Sequence, residues 1–238
     1  MKTLTPLTAL FAVVGIVGGA GFSACNKKTE GPAGTAATGG AAPQGSGLMI
    51  QEVKAGEGAL ATKGKTVTIA MLDEHAGSSV GALRHNGFLK GFGIKKNDKQ
   101  IACVANGGGQ QTQSQPAMEN CLQKNPNIDV LYTINEPSAA GAWTALKNAG
   151  KKASGVTIVS VDGGCAGVRN VKAGIIDATS QQYPLRMASL GVAAVVKFAN
   201  GGAKASGYTD TGLNLIAKKP LKGVPSKSVT YGLANCWG

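Results

Sequence analysis

Four polar side chains stand where four short apolar runs stop. Asp73 follows VTIAML (67–72), Asn106 follows IACVA (101–105), Asn135 follows IDVLYTI (128–134), and Asp162 follows VTIVSV (156–161). The two carboxylates accept hydrogen bonds, and the two amides both accept and donate. Gathered in one place, they suit a neutral ligand with many hydroxyls.

The elements that would gather them follow from the pattern of the runs. Each is mostly apolar, rich in β-branched residues and followed by a helix-like segment. Such runs are strands buried on both faces of a parallel sheet. Strands expected at 66–72, 100–105, 128–134, 156–161 and 174–179 alternate with helices near 80–92, 114–124, 137–149, 166–172 and 184–200. Pro137 suits a first helical position, and Gly201-Gly202 suits a helix end. One or two further strands are expected near 212–216 and 228–232, and a short helix fragment near 50–61. The alternation predicts a doubly wound α/β domain with a parallel sheet. Right-handed crossovers then bring all four strand ends to one edge, where ligands of open α/β sheets bind.

The chain has 238 residues and a formal net charge of +12. Its lysines are scattered over helix ends and loops, and aromatic residues make up only 5% of the chain. That is poor material for stacking bases, so the charge is assigned to solvated surface and no nucleic-acid partner is expected. Residues 1–24 have the form of a secretory signal: Lys2, an apolar stretch from Leu7 to Val17, then small residues. Phe-Ser-Ala-Cys (22–25) resembles a bacterial lipobox, with Phe22 in place of the usual leucine, which implies lipidation of Cys25. The small and polar segment that follows, 26–47 within a wider 25–64, is expected to be a tether reaching about 25 Å. The folded unit is expected over 65–238, in the periplasm or cell envelope, touching a membrane only through the lipid. Four cysteines then remain. Cys165 and Cys236 are the favoured pair, while Cys103 and Cys121 are either a second bridge or two buried thiols.

GALRHNGF (81–88), TINEPSAAGAW (133–143), VSVDGGCAGV (159–168) and ATSQQYP (178–184) follow one another in order. Together they resemble the type I periplasmic sugar-binding proteins of the ribose class, which serve ABC transporters. DTGLNLIAKKPLKGV (210–224) and Cys-Trp-Gly (236–238) look like the fructose-binding members. The resemblance implies sugar contacts from Arg84, Asn135, Asp162 and Gln182, with Asp73 and Asn106 as weaker candidates. It implies a monosaccharide ligand, a membrane permease as partner, and neither cofactor nor metal. Such proteins clamp the sugar between two lobes, and the likeness here begins near the start of the second. The face that would meet the first lobe is thus expected to be open to a protein partner or to self-association.

Other chemistries fit less well. Gly77–Gly81 has the Gly-x-Ser-x-Gly pattern of serine hydrolases, but six residues separate Leu72 from Ser79, and no acid lies between Ser79 and His85. Glu136 and Asp162 are a conceivable carboxylate pair for glycoside hydrolysis. Gly107–Gly109 lacks the Gly-Lys-Ser/Thr of a phosphate loop. Trp143 and Phe88 are assigned to the core.

Overall fold

The structure, a computed structural model, describes residues 66–206, 209–219 and 224–238. The signal, Cys25, the tether and the 50–61 helix fragment lie outside the described residues. Seven strands form one sheet in the order β2-β1-β3-β4-β5-β6-β7. They are β1 (Ile69–Asp73), β2 (Ile101–Asn106), β3 (Val130–Thr133), β4 (Thr157–Asp162), β5 (Ala178–Gln181), β6 (Asn214–Ala217) and β7 (Ser226–Ser228). The helices are α1 (Ser79–Phe92), α2 (Gln111–Lys124), α3 (Glu136–Asn148), α4 (Cys165–Ala173), α5 (Pro184–Ala199) and α6 (Val229–Asn235).

The alternation of side chains along the strands makes two cores. Ile69, Met71, Val130, Tyr132, Val159 and Val161 meet Phe88, Leu89 and Phe92 of α1 on one face. Ala70, Leu72, Leu131 and Ile158 meet Met118, Ala142, Leu146 and Val171 on the other. Successive strand residues point to opposite faces, so runs without a polar position are what a sheet covered on both sides requires. Phe88 is core, as expected, and Trp143 packs partly buried against the second cluster.

The doubly wound α/β sheet is as expected, and the departures lie in its details. The sheet is mixed: β1 to β5 are parallel, but β6 runs antiparallel to β5. The strand expected at 174–179 is Ala178–Gln181, because Gly174 closes α4 in the left-handed conformation (φ 77°) and delays it. The strand expected near 228–232 is a helix. Ser228 caps it, accepting a hydrogen bond from the Tyr231 amide, and this outweighs the β-branched Val229 and Thr230. Helix α2 also begins earlier than expected, since the Ser114 amide already bonds the Gln110 carbonyl.

The antiparallel β6 has a topological consequence. Gln181 pairs with Asn214, so the chain leaves the sheet and returns to it at the same edge. That is the edge where Asp73, Asn106 and Asp162 end their strands. Helix α5 is built within this excursion. No residue of α5 is buried, and Leu185, Val192, Val195, Val196 and Phe198 are all more than half exposed. At 100° per residue, Leu185, Val192 and Val196 lie on one side, and Met187, Leu190 and Phe198 on the opposite side.

Candidate functional site

Helix α1 starts at the β1 tip, capped by Ser78, whose hydroxyl accepts from the Gly81 amide and also contacts Glu74. One turn on, this helix carries Arg84 across the ends of β3 and β4. Arg84 Nη1 donates to the Ile134 carbonyl at 2.8 Å, and Nη2 donates to Asp162 Oδ1 at 2.8 Å. Gln182, the first residue past β5, donates from Nε2 to the same oxygen at 2.9 Å. Two donors, one from α1 and one just past β5, therefore converge on a single oxygen at the end of β4. Asp162 Oδ2 has no hydrogen-bond partner among the described residues, which leaves an acceptor at the strand tips. Burial pushes the Asp162 carboxyl up from its ordinary value, Arg84 pulls it back, and the charge on Glu74 adds a smaller upward push.

Asn135 stands beside this cluster, one residue past the carbonyl that Arg84 holds. Its Oδ1 caps α3 by accepting from the Ser138 amide at 3.0 Å, and its Nδ2 donates to the Gly109 carbonyl at 2.9 Å. One amide hydrogen and one lone pair are left for a ligand. Asp73 and Asn106 are cross-strand partners at the neighbouring tips. Asp73 Oδ2 lies 2.8 Å from His85 Nδ1, and Asn106 Oδ1 takes the Gly108 amide in a local turn. Neither is hydrogen-bonded to the Arg84–Asp162–Gln182 group.

The structure seats Glu136 inside the lobe rather than on its surface. It is 6% exposed, with both carboxylate oxygens turned inward on the Gly163 and Gly164 amides. Ser79 begins a helix, and His85 bonds Asp73, so residues 77–81 form no nucleophile elbow. Sequence reasoning missed Trp237, whose indole N–H donates to the Asp162 carbonyl at 3.3 Å. A bridge between Cys165 and Cys236 draws that tail to the site, and a second joins Cys103 to Cys121. Among the described residues, no group of histidine, cysteine or acidic side chains is arranged to hold a metal.

A doubly wound lobe with a hydrogen-bonding cluster at its strand tips has the layout in which open α/β sheets bind ligands. The match to the periplasmic binding protein domain, over residues 53–203, makes the assignment specific: this chain belongs to that family. It is 33% identical over 144 residues to the D-allose-binding periplasmic protein of Escherichia coli, an alignment covering 56% of this chain and 42% of that one. It is 31% identical to the ribose import binding protein RbsB of Haemophilus influenzae, covering 58% of this chain and 46% of the relative. The chain thus spans less than half the length of these two relatives. A solved solute-binding protein from Actinobacillus succinogenes with bound D-allose superposes with a TM-score of 0.61 at 27% identity, covering 71% of this chain and 59% of that one.

Proposed function

We propose that this chain supplies the sugar-binding lobe of an ABC importer's solute receptor and holds a neutral monosaccharide of the ribose, allose or fructose kind at its strand tips. The observation that carries this is the convergence of Arg84 and Gln182 on Asp162, with Asn135 alongside. Arg84 and Gln182 donate, Asp162 accepts, and Asn135 does both. This mixture matches hydroxyls and selects against analogues lacking them. The receptor works in the cell envelope, tethered through lipidated Cys25, and delivers sugar to a membrane permease. Calorimetry with D-allose, D-ribose and D-fructose tests the site. Micromolar binding of one sugar, lost in Asp162→Ala, is the expected result. No heat with any of the three would defeat the proposal.

A second reading is favoured by α5. A helix apolar on opposite sides is ordinarily buried, yet this one has no buried residue. Under this reading the face engages another copy of the chain or a protein that completes the receptor. Sedimentation at increasing concentration tests self-association. A dimer dispersed by Val192→Ser with Val196→Ser supports it, and a monomer throughout the range excludes it.

A further inference from the structure

We propose that Glu136 is the positioning residue for Asp162: its buried carboxylate grips the two amides that follow Asp162 and so fixes where the Asp162 side chain stands. This deepens the sugar-binding reading and rests on it for its functional meaning. The backbone supplies the first observation. Asp162 has φ 127°, and it is the sole non-glycine residue with positive φ among the described residues. Such a conformation persists only where its surroundings impose it.

The surroundings are specific. The Gly163 amide donates to Glu136 Oε1 at 2.9 Å, and the Gly164 amide donates to Oε2 at 3.0 Å. The Thr179 hydroxyl, from β5, donates to Oε1 at 2.6 Å. A methyl group at Gly167 would overlap the Glu136 carboxyl, so glycine there leaves room for it. Two amides aimed at two different oxygens need an acceptor at each. A carboxylate provides both, whereas glutamine turns its NH2 group toward one of them. Glu136 therefore acts through Asp162 rather than on the sugar.

The groups around Glu136 are few. From β4 it meets Asp162, whose charge repels it; Arg84 and Glu74 in turn act on Asp162. β5 offers neutral Thr179, and the α4 side offers the Gly164 amide and the small Gly167. Burial, countered by the Thr179 bond, pushes the Glu136 carboxyl up to about 7. The grip should accordingly loosen as pH falls through neutrality.

The test compares the full chain with Glu136→Gln and Gly167→Ala. The readouts are amide hydrogen exchange at Gly163 and Gly164, the NMR resonance of the Trp237 indole proton, and calorimetric affinity for D-allose and D-ribose. Both variants should exchange these amides about tenfold faster, move the Trp237 signal and weaken sugar binding about tenfold, the weight of one charge-assisted hydrogen bond. Their thermal unfolding should remain cooperative. In the unsubstituted chain the Gly163, Gly164 and Trp237 signals should titrate together near neutral pH. Unchanged exchange in both variants, or signals indifferent to pH, overturns the proposal. If the unsubstituted chain binds neither sugar, the sugar-binding reading is what fails, and the exchange data still decide whether Glu136 holds the loop. If neither variant folds, the pH titration of the unsubstituted chain decides it.

Discussion

Asp162 combines a strand-tip carboxylate, which we propose meets the sugar, with a backbone that only glycine adopts easily, and substitution separates the two. A φ of 127° costs a side-chain-bearing residue about 1–3 kcal/mol. Asp162→Gly and Asp162→Ala both remove the Arg84 partner, but only glycine releases the backbone. Urea unfolding should find Asp162→Gly more stable than Asp162→Ala by about 1 kcal/mol or more. Equal stabilities would mean that the backbone stores no strain there. Glu136 gives the residue scale its pH dependence. Its folded value of about 7 lies above the ordinary carboxyl value of 4.5. The folded state therefore binds the proton more tightly than the unfolded chain. The resulting stabilisation is complete below about 4.5 and is lost as pH rises through about 7. Burial raises Asp162 and Asp177 in the same direction. The melting temperature should thus fall from pH 5 to pH 8, a change of about 3 kcal/mol at most from Glu136, and Glu136→Gln should flatten the profile. A melting temperature that rises over this range would contradict the assignment. The polar tips were legible in the sequence because each ends an apolar run. The role of Glu136 was not, because the amides it holds lie 27 and 28 residues further along the chain.

Elements were legible where local signals agreed with packing. Pro137 and the Asn135 cap mark the start of α3, and β1 to β4 follow from their apolar runs. The tail misled because Val229, Thr230 and Tyr231 favour a strand, while the Ser228 cap decides for a helix. Helix α5 was legible as a helix, but its exposure was not, since an apolar sequence says nothing of what covers it. The α2–α3 contact offers a sharper test of packing. A methyl group at Gly141 would run into the Gln111 carbonyl and the Gln115 amide of α2, both of them backbone atoms. Neither can rotate away, so the helices must part. Gly141→Ala should cost about 1–3 kcal/mol in chemical denaturation, although alanine is the better helix former. A neutral or stabilising result would mean that the two helices pack less closely than this.

At the scale of the whole lobe, residues 236–238 close on the sheet edge proposed to bind sugar. Cys165 opens α4 directly after the glycines that follow Asp162, and it is bonded to Cys236 across 71 residues of sequence. The Cys165 amide also donates to the Trp237 carbonyl at 3.0 Å, and the Trp237 indole donates to Asp162. The tail, the Gly163–Gly164 loop and Asp162 therefore form one connected unit. Closing a loop of that size removes unfolded-state entropy worth about 4 kcal/mol in the chain-entropy picture. Cys236→Ser should lower stability by an amount approaching this and shift Trp237 fluorescence in the folded protein, because the tail is then held by hydrogen bonds alone. Sugar affinity should fall with it, since Asp162 loses the clamp on its carbonyl. If Cys236→Ser left the urea midpoint and the Trp237 emission where they were, the tail would be an appendage, and Asp162 would owe its placement to Glu136, Arg84 and Gln182.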